Sequence, residues 1–119
     1  MTISLKICLP DNVYAIEKAD KVVLPIDRGN FTIIKDRAPT ILLLSMGLIQ
    51  CLDEQNNIVK KYFINNGIAD IANDTCSIAA ERLIDLQKET LEDLVNKAKD
   101  NKFYQSALER LQAFNKTMW

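Results

Sequence analysis

Up to about residue 80, the chain consists of short apolar-rich runs separated by clusters of Pro, Asp, Asn and Gly. The run ISLKICL places Ile3, Leu5 and Ile7 at every second position, which is the period of a strand with one buried face. Further runs of this kind are VYAIE, DKVVLPI, FTII, TILLL, LIQCLD, IVKKYFI, IADIA and CSIAA. About ten short, mostly antiparallel strands at such regular spacing predict a β-sandwich or a β-barrel.

The hydrophobic period changes after Glu81. In TLEDLVNKAK the apolar positions have the spacing of one helical face: Leu91, Leu94, Val95 and Ala98. Thr90 stands where a helix N-cap belongs, and Asp100-Asn101 interrupts the pattern. The run FYQSALERLQAFNKTMW carries a second stripe, formed by Tyr104, Ala107, Leu108 and Leu111. Because the break between the stripes is very short, they predict a C-terminal antiparallel αα-hairpin.

The bulk properties fit one ordinary domain with a small appendage. The 119 residues divide into a predicted β-domain, residues 1–83, and a predicted helical hairpin, residues 84–119. A net charge of -1 gives no support for binding to nucleic acid or to an anionic membrane. The opening MTISLKICLPD lacks a basic lead, and no apolar run reaches the roughly 18 residues of a membrane span. We therefore expect a cytosolic chain whose link to a membrane comes through a partner.

Catalytic, metal and cofactor sites are not expected. Histidine is absent, which removes the commonest general base and the commonest metal ligand. Three cysteines without a Cys-x-x-Cys pair are predicted to be reduced core residues: Cys8, Cys51 and Cys76. The adjacent carboxylates Asp53-Glu54 and Glu92-Asp93 are interpreted as solvated turn and helix residues. Because the three glycines are scattered, no phosphate-binding loop is present, and the sequence argues against an enzyme that works alone.

Two features favour binding to other proteins. The segment GNFTIIKDRAPTILLLSMG, residues 29–47, places a charged corner between two apolar strands. The run TILLLSMGLI is apolar on both faces, so either the sandwich covers both faces or another protein covers one of them. The helical part carries cations that form either an ordinary solvated face or a docking surface for an acidic partner: Lys97, Lys99, Lys102, Arg110 and Lys116.

These features, in this order, resemble the epsilon subunit family of rotary F-type ATP synthases, called delta in mitochondrial naming. Members carry Gly-x-(Leu/Phe)-x-Ile-x-Pro-Gly-His-Ala-Pro-Leu and, some residues later, a Gly; residues 29–40 and Gly47 are similar. A second signature, an aromatic strand running into Gly-Gly, resembles residues 63–71, and the strand that follows it resembles residues 77–81. The resemblance covers essentially the whole chain. It implies a β-sandwich followed by a helical hairpin.

The chain departs from the family pattern at three places. The corner has Lys35-Asp36-Arg37 for Pro-Gly-His, so its turn geometry is expected to differ. Asn66-Gly67 replaces Gly-Gly, and since Asn tolerates a left-handed conformation, that turn is expected to survive. Some bacterial members bind ATP through (Ile/Leu)-Asp-x-x-Arg-Ala, and here Val95 stands where the Arg belongs. The resemblance therefore implies no tight regulatory ATP binding.

The resemblance also implies partners for individual residues. One end of the sandwich would contact the membrane ring of c subunits through Gly29, Asn30 and Phe31. One face would contact the gamma shaft through Leu9, Arg37 and Leu42. The extended hairpin would approach the β subunits of the α/β catalytic assembly through Lys97, Lys99, Lys102 and Arg110.

The function that follows from the resemblance is non-catalytic. The chain would couple the gamma shaft to the c-ring during ATP synthesis, and its C-terminal helices would inhibit ATP hydrolysis. It would lie on the cytoplasmic face of the inner (plasma) membrane as a peripheral subunit. The alternative is a freestanding β-sandwich that binds a peptide or small ligand, with the helices as a lid.

Overall fold

The computed structural model describes residues 2–87, 96–97, 99 and 101–115, and the side chains of 110–115 are outside this description. The strands are β1 (Ile3–Leu9), β2 (Asn12–Ala19), β3 (Lys21–Ile26), β4 (Gly29–Ile33), β5 (Thr40–Leu44), β6 (Gly47–Leu52), β7 (Ile58–Ile64), β8 (Gly67–Ala72), β9 (Thr75–Ala80) and β10 (Leu83–Asp85). One helix follows, α1 (Lys102–Asn115). The predicted sandwich of short strands is confirmed.

The strands form two five-stranded sheets. Sheet A has the order β2-β1-β9-β8-β5, and sheet B has the order β10-β7-β6-β3-β4. All strand pairs are antiparallel except β1 and β9, which run parallel. The prediction of mostly antiparallel strands is therefore confirmed. Strand β10 pairs with β7, so sheet B continues to Asp85, just past the predicted domain boundary at residue 83.

The main core lies between the facing sides of the two sheets. It is built from alternate residues of each strand, as the strand period requires, and includes Ile3, Leu5, Ile7, Val22, Leu24, Ile49, Tyr62, Ile64, Ile71 and Ile78. Cys51 and Cys76 are also fully buried in this core, and both are free thiols. Burial raises the pKa of Cys51 to about 11 and that of Cys76 to about 12, so both thiols stay protonated at neutral pH.

A second, smaller core lies between the outer face of sheet B and helix α1. Its buried members are Leu48, Phe63, Ile84 and Ala107. Phe63 is adjacent in sequence to two core residues, Tyr62 and Ile64, and points the opposite way, so β7 is buried on both sides. The phenyl rings of Phe63 and Phe103 lie 5.9 Å apart between centroids. The helix thus covers part of the outer face of sheet B.

Helix α1 begins at the break that the sequence predicts. The Asn101 side-chain oxygen accepts a hydrogen bond from the Phe103 N–H at 2.8 Å, as an N-cap does. The predicted stripe of the second helix agrees with the structure in that Ala107 is buried and Tyr104 and Leu108 pack beside it. The stripe of the first predicted helix, with its cap Thr90, lies outside the described residues. The hairpin therefore stays a prediction, and α1 is the C-terminal helix whose bounds the described residues define.

The turn at Asn66-Gly67 differs from the expectation. Neither residue has a positive φ, so a left-handed Asn is not what preserves this turn. Instead, a Cβ added at Gly67 would lie 2.6 Å from the carbonyl oxygen of Ala79 on the neighbouring strand β9. Glycine is required here because the two backbones approach closely.

Candidate interaction surfaces

The charged corner joins the two sheets at one side of the sandwich. The elbow, residues 34–39, connects β4 at the edge of sheet B with β5 at the edge of sheet A. Its second turn residue, Asp36, has φ 64. The Asp36 N–H donates a hydrogen bond of 2.7 Å to the Asp74 carboxylate in the turn between β8 and β9. The turn between β8 and β9 therefore anchors the elbow through this hydrogen bond.

The left-handed conformation of Asp36 bears on the expected change in turn geometry. Asp36 occupies the place that glycine has in the family motif, and a positive φ is the conformation that glycine adopts without strain. Asp is among the few residues with a Cβ that tolerate this region. The exchange of Gly for Asp therefore does not by itself require a different turn.

Two residues predicted to contact different partners touch each other. The guanidinium carbon of Arg37 lies 4.3 Å from the centroid of the Phe31 ring, a cation–π arrangement. Arg37 is exposed, and Phe31 is half-buried against the main core. The predicted gamma contact at Arg37 and the predicted c-ring contact at Phe31 are therefore neighbours across the elbow.

The other two residues of the predicted c-ring contact begin β4. A turn at Asp27-Arg28 joins β3 to β4, and both Gly29 and Asn30 are exposed. Beside them lies an open pocket of about 320 Å³, lined by Pro25, Ile26, Asp27, Gly29, Asn30, Met46, Gly47 and Leu48. Its lining combines apolar side chains with one carboxylate, one amide and exposed backbone, so the pocket has mixed polarity.

The other two residues of the predicted gamma contact face inward. Leu9 and Leu42 are half-buried and pack against the main core. On β5 the outward side chains are their sequence neighbours, Ile41 and Leu43, which are 72% and 76% exposed. Leu9 and Leu42 are thus partly covered by the sandwich itself, and Ile41 and Leu43 are the more exposed side chains of β5. The gamma contact of Leu9 and Leu42 stays a prediction.

Leu43 belongs to a continuous line of apolar side chains on the outer face of sheet A. Cross-strand pairing runs from Leu43 to Ile68 and on to Ala79. It continues through Cys8 on β1 to Val13 on β2, so the line crosses all five strands. We call these five residues the apolar row. The neighbouring line is mixed and consists of Ile41, Asp70, Ser77, Lys6 and Ile16.

The run TILLLSMGLI, apolar on both faces, is the sequence signal for this surface. In sheet B, both faces of β6 are covered within the protein, because Leu48 faces helix α1 and Ile49 faces the main core. In sheet A, β5 buries Leu44 and leaves Leu43 exposed. Large exposed apolar side chains that lie together mark a surface for another protein.

The basic residues assigned to the β subunits are exposed where they are described. Lys97, Lys99 and Lys102 are exposed, and the Lys97 ammonium lies 5.4 Å from the centroid of the Tyr104 ring. The side chain of Arg110 is outside the described residues. This arrangement leaves both readings of the sequence open, a solvated face or a docking surface.

A polar cluster that the sequence did not predict joins the opposite edges of the two sheets. The Tyr14 hydroxyl on β2 donates a hydrogen bond of 2.9 Å to the Asp85 carboxylate on β10. The Gln87 backbone N–H also donates to Asp85, at 3.0 Å. Nearby, the Tyr62 hydroxyl donates to Glu17 at 3.3 Å, and burial with the Glu17 charge raises the pKa of Tyr62. Residues this far apart in sequence carry no local signal of their pairing.

Within the described part of the chain, no group of three or more His, Cys, Asp or Glu side chains is placed to hold a metal ion. No helix among the described residues is both long and apolar enough to cross a bilayer.

Residues 2–85 match the family described as ATP synthase, Delta/Epsilon chain, beta-sandwich domain. Among curated relatives, the ATP synthase epsilon chain of Rickettsia bellii (strain OSU 85-389) is 30% identical over 97 residues, which is 81% of this chain and 90% of the relative. The ATP synthase epsilon chain of Jannaschia sp. (strain CCS1) is 27% identical over 104 residues, 85% of this chain and 77% of the relative.

Two solved structures share the fold. A chain in the Euglena gracilis mitochondrial ATP synthase OSCP/F1/c-ring structure gives a TM-score of 0.64 at 17% identity, covering 92% of this chain and 74% of that chain. A chain in the Tetrahymena thermophila mitochondrial ATP synthase central stalk/c-ring structure gives a TM-score of 0.60 at 14% identity, with coverage of 95% and 96%.

Proposed function

Because the chain belongs to the ATP synthase delta/epsilon family, we propose that it couples the gamma shaft to the c-ring within the central stalk. Its curated relatives are epsilon chains of ATP synthase, and solved structures of the same fold contain the central stalk and the c-ring. In this role the chain is a non-catalytic subunit that transmits torque. Family membership favours this role over a freestanding ligand-binding module.

The observation that carries the proposal is the difference between the two outer faces of the sandwich. Helix α1 covers part of the outer face of sheet B through the second core. The outer face of sheet A bears the apolar row, in which Leu43 is 76% exposed and Ile68 is 49% exposed. Burying such side chains against a partner gains roughly 25 cal/mol per Å² of apolar area removed from water. We assign this face, together with Arg37, to gamma.

The hairpin tip of β3 and β4 is the surface that we assign to the c-ring. Its exposed residues Gly29 and Asn30 lie beside the open pocket, and Phe31 supports Arg37 from the same strand. An exposed tip next to a pocket of mixed polarity suits a polar loop. Strand β4 runs from this tip to the elbow, and the elbow leads into β5 of the gamma face. A load on either surface would therefore pass through β4 and the hydrogen-bonded elbow.

The C-terminal helix carries the proposed inhibitory function. In the folded position described here, α1 rests on the small second core, and Lys102 at its first residue is exposed. Release of the helix would carry Lys97, Lys99 and Lys102 toward acidic segments of the β subunits. A small docking core suits a switch, because two states that differ by a few kcal/mol are readily biased. The complex would hold this subunit at the cytoplasmic face of the inner membrane.

Binding of Leu43→Asp to the complex depleted of this subunit tests the gamma assignment. A charge placed centrally in an apolar interface weakens binding by about tenfold or more, whereas the free chain stays folded because Leu43 is exposed. The matched control is Val59→Asp, since Val59 is 50% exposed on a strand of sheet B. Wild-type affinity for Leu43→Asp, or equal losses in both variants, would contradict the assignment.

A further inference from the structure

The elbow crosses between the sheets at a point where its backbone leaves both strand ladders. A backbone N–H in such a segment needs an acceptor other than a neighbouring strand. For Asp36 that acceptor is the carboxylate of Asp74, at 2.7 Å. Hydrogen bonds to an ionised acceptor are shorter and stronger than neutral ones. The bond therefore favours the left-handed conformation of Asp36, which residues with a Cβ adopt uncommonly.

Asp74 is itself held firmly. It follows Asn73 in the two-residue loop between β8 and β9, and both residues have positive φ, 53 for Asn73 and 58 for Asp74. This is the backbone of the tight hairpin turns that match strand twist. The carbonyl oxygen of Asp74 also accepts the Ser4 N–H at 3.0 Å, which ties the loop to β1. The carboxylate is thus presented from a fixed position.

The residue after Asp36 is Arg37, whose guanidinium rests on the Phe31 ring. The direction of the Arg37 side chain depends on the backbone of Asp36, and that backbone depends on Asp74. We propose that Asp74 is a positioning residue that sets Arg37 for its contact with gamma. This proposal rests on the proposed function, because the contact of Arg37 with gamma is part of it.

The hydrogen bond between Asp36 and Asp74 affects both the predicted gamma contact and the predicted c-ring contact. Arg37 is stacked on Phe31, which lies on the strand assigned to the c-ring. Without the Asp74 acceptor, Asp36 samples other conformations and Arg37 leaves the ring. A group held in place before binding loses less freedom on association than a mobile one. The expected consequence is weaker binding to gamma with an otherwise intact sandwich.

The variant that removes only the carboxylate is Asp74→Gly, because glycine adopts the positive φ of this position without strain. We expect its affinity for the complex depleted of this subunit to fall about tenfold. Asn73→Gly is the matched control, since it also introduces glycine into this turn, at a similar φ, and leaves the Asp74 carboxylate in place. Asp74→Asn keeps an oxygen acceptor and should retain affinity to within about twofold.

A double-mutant cycle separates positioning from a general loss of stability. If Asp74 acts through Arg37, then Asp74→Gly weakens binding in the wild-type background and adds nothing in the Arg37→Ala background. Hydrogen exchange of the Asp36 amide in the free chain should accelerate about tenfold in Asp74→Gly. It should be unchanged in Asn73→Gly.

Additive losses in the cycle, unchanged exchange at Asp36, or equal effects of Asp74→Gly and Asn73→Gly would overturn the proposal. Loss of the fold in Asp74→Gly alone would assign Asp74 to the stability of the sandwich and overturn it too. If Arg37→Ala binds as wild type, the assignment of Arg37 to gamma fails. If Arg37→Ala weakens binding and Asp74→Gly does not, only the positioning role fails.

Discussion

Close backbone approach, rather than a special dihedral angle, explains the glycine at the start of β8. Gly67 starts β8 opposite Ala80, and a methyl group there would press on the carbonyl oxygen of Ala79. The sequence shows a turn dipeptide at Asn66-Gly67 and cannot show the neighbouring backbone, because Ala79 comes from a different strand. The sequence-based expectation placed the special conformation at Asn66, whereas the structural requirement lies at Gly67.

Gly67→Ala is expected to destabilise the sandwich by about 1–3 kcal/mol, the usual range for forcing a methyl group into a packed site. Asn66→Ala should change the unfolding free energy by less than about 0.5 kcal/mol, since Asn66 is exposed and its φ is not positive. Urea unfolding, monitored by far-UV circular dichroism, measures the unfolding free energy of both variants. A larger loss for Asn66→Ala than for Gly67→Ala would restore the left-handed explanation.

At the scale of elements, the apolar runs predicted where the strands lie. Which side of a strand is buried could be predicted only where apolar and polar residues alternate. ISLKICL alternates, and its inward residues Ile3, Leu5 and Ile7 are the ones that are buried. After Thr40, TILLL is uniformly apolar, so its pattern does not show which of Leu42 and Leu43 faces solvent. No local sequence pattern predicts the parallel pairing of β1 with β9, because the two strands are far apart in the chain.

We expect helix α1 to detach without unfolding the sandwich. Ala107 is fully buried in the second core, which shares no buried residue with the main core. Ala107→Glu places a charge in that contact and should release the helix, because an unpaired buried charge is strongly unfavourable. Gln105→Glu adds the same charge at an exposed position of the same helix and serves as the control.

Hydrogen exchange of the free variants gives the readout. In Ala107→Glu we expect faster exchange along α1 and unchanged exchange in β1 and β9 at the centre of sheet A. In Gln105→Glu both regions should match the wild type. Protection of α1 in Ala107→Glu, or loss of protection in sheet A, would show that the helix is not an independently docked element.

On the scale of the molecule, helix α1 covers part of the outer face of sheet B, whereas the outer face of sheet A carries the apolar row beside a mixed line, and Leu43 and Ile68 of that row are exposed. Polar contacts tie both sides of the sandwich: Asp36 to Asp74 at the elbow, and Tyr14 to Asp85 with Tyr62 to Glu17 at the opposite edge. A body that carries load between two partners benefits from such ties, because sheets that shear past each other would absorb motion. Shape and polarity together thus favour a rigid spacer that binds on the outer face of sheet A.

The chain contains its own probe of that face. Cys8 lies within the apolar row and is half-buried, whereas Cys51 and Cys76 have no exposed surface. The thiolate is the reactive form, and the pKa of about 11 for Cys51 and about 12 for Cys76 further suppresses their reaction. A small alkylating reagent at neutral pH should therefore modify the free native chain at Cys8 alone. Mass spectrometry of the intact chain and of its peptides identifies the site.

Assembly into the complex should slow the modification of Cys8 by about tenfold or more, because a partner that covers the apolar row excludes the reagent along with water. The matched probe is Val59→Cys on sheet B, which should react at the same rate in the free chain and in the complex, since that face is not assigned to gamma. Equal reaction of Cys8 in both states, with slowed reaction at residue 59, would move the gamma contact to the other sheet. Because both probes sit in one folded chain, the comparison is independent of any change in overall stability.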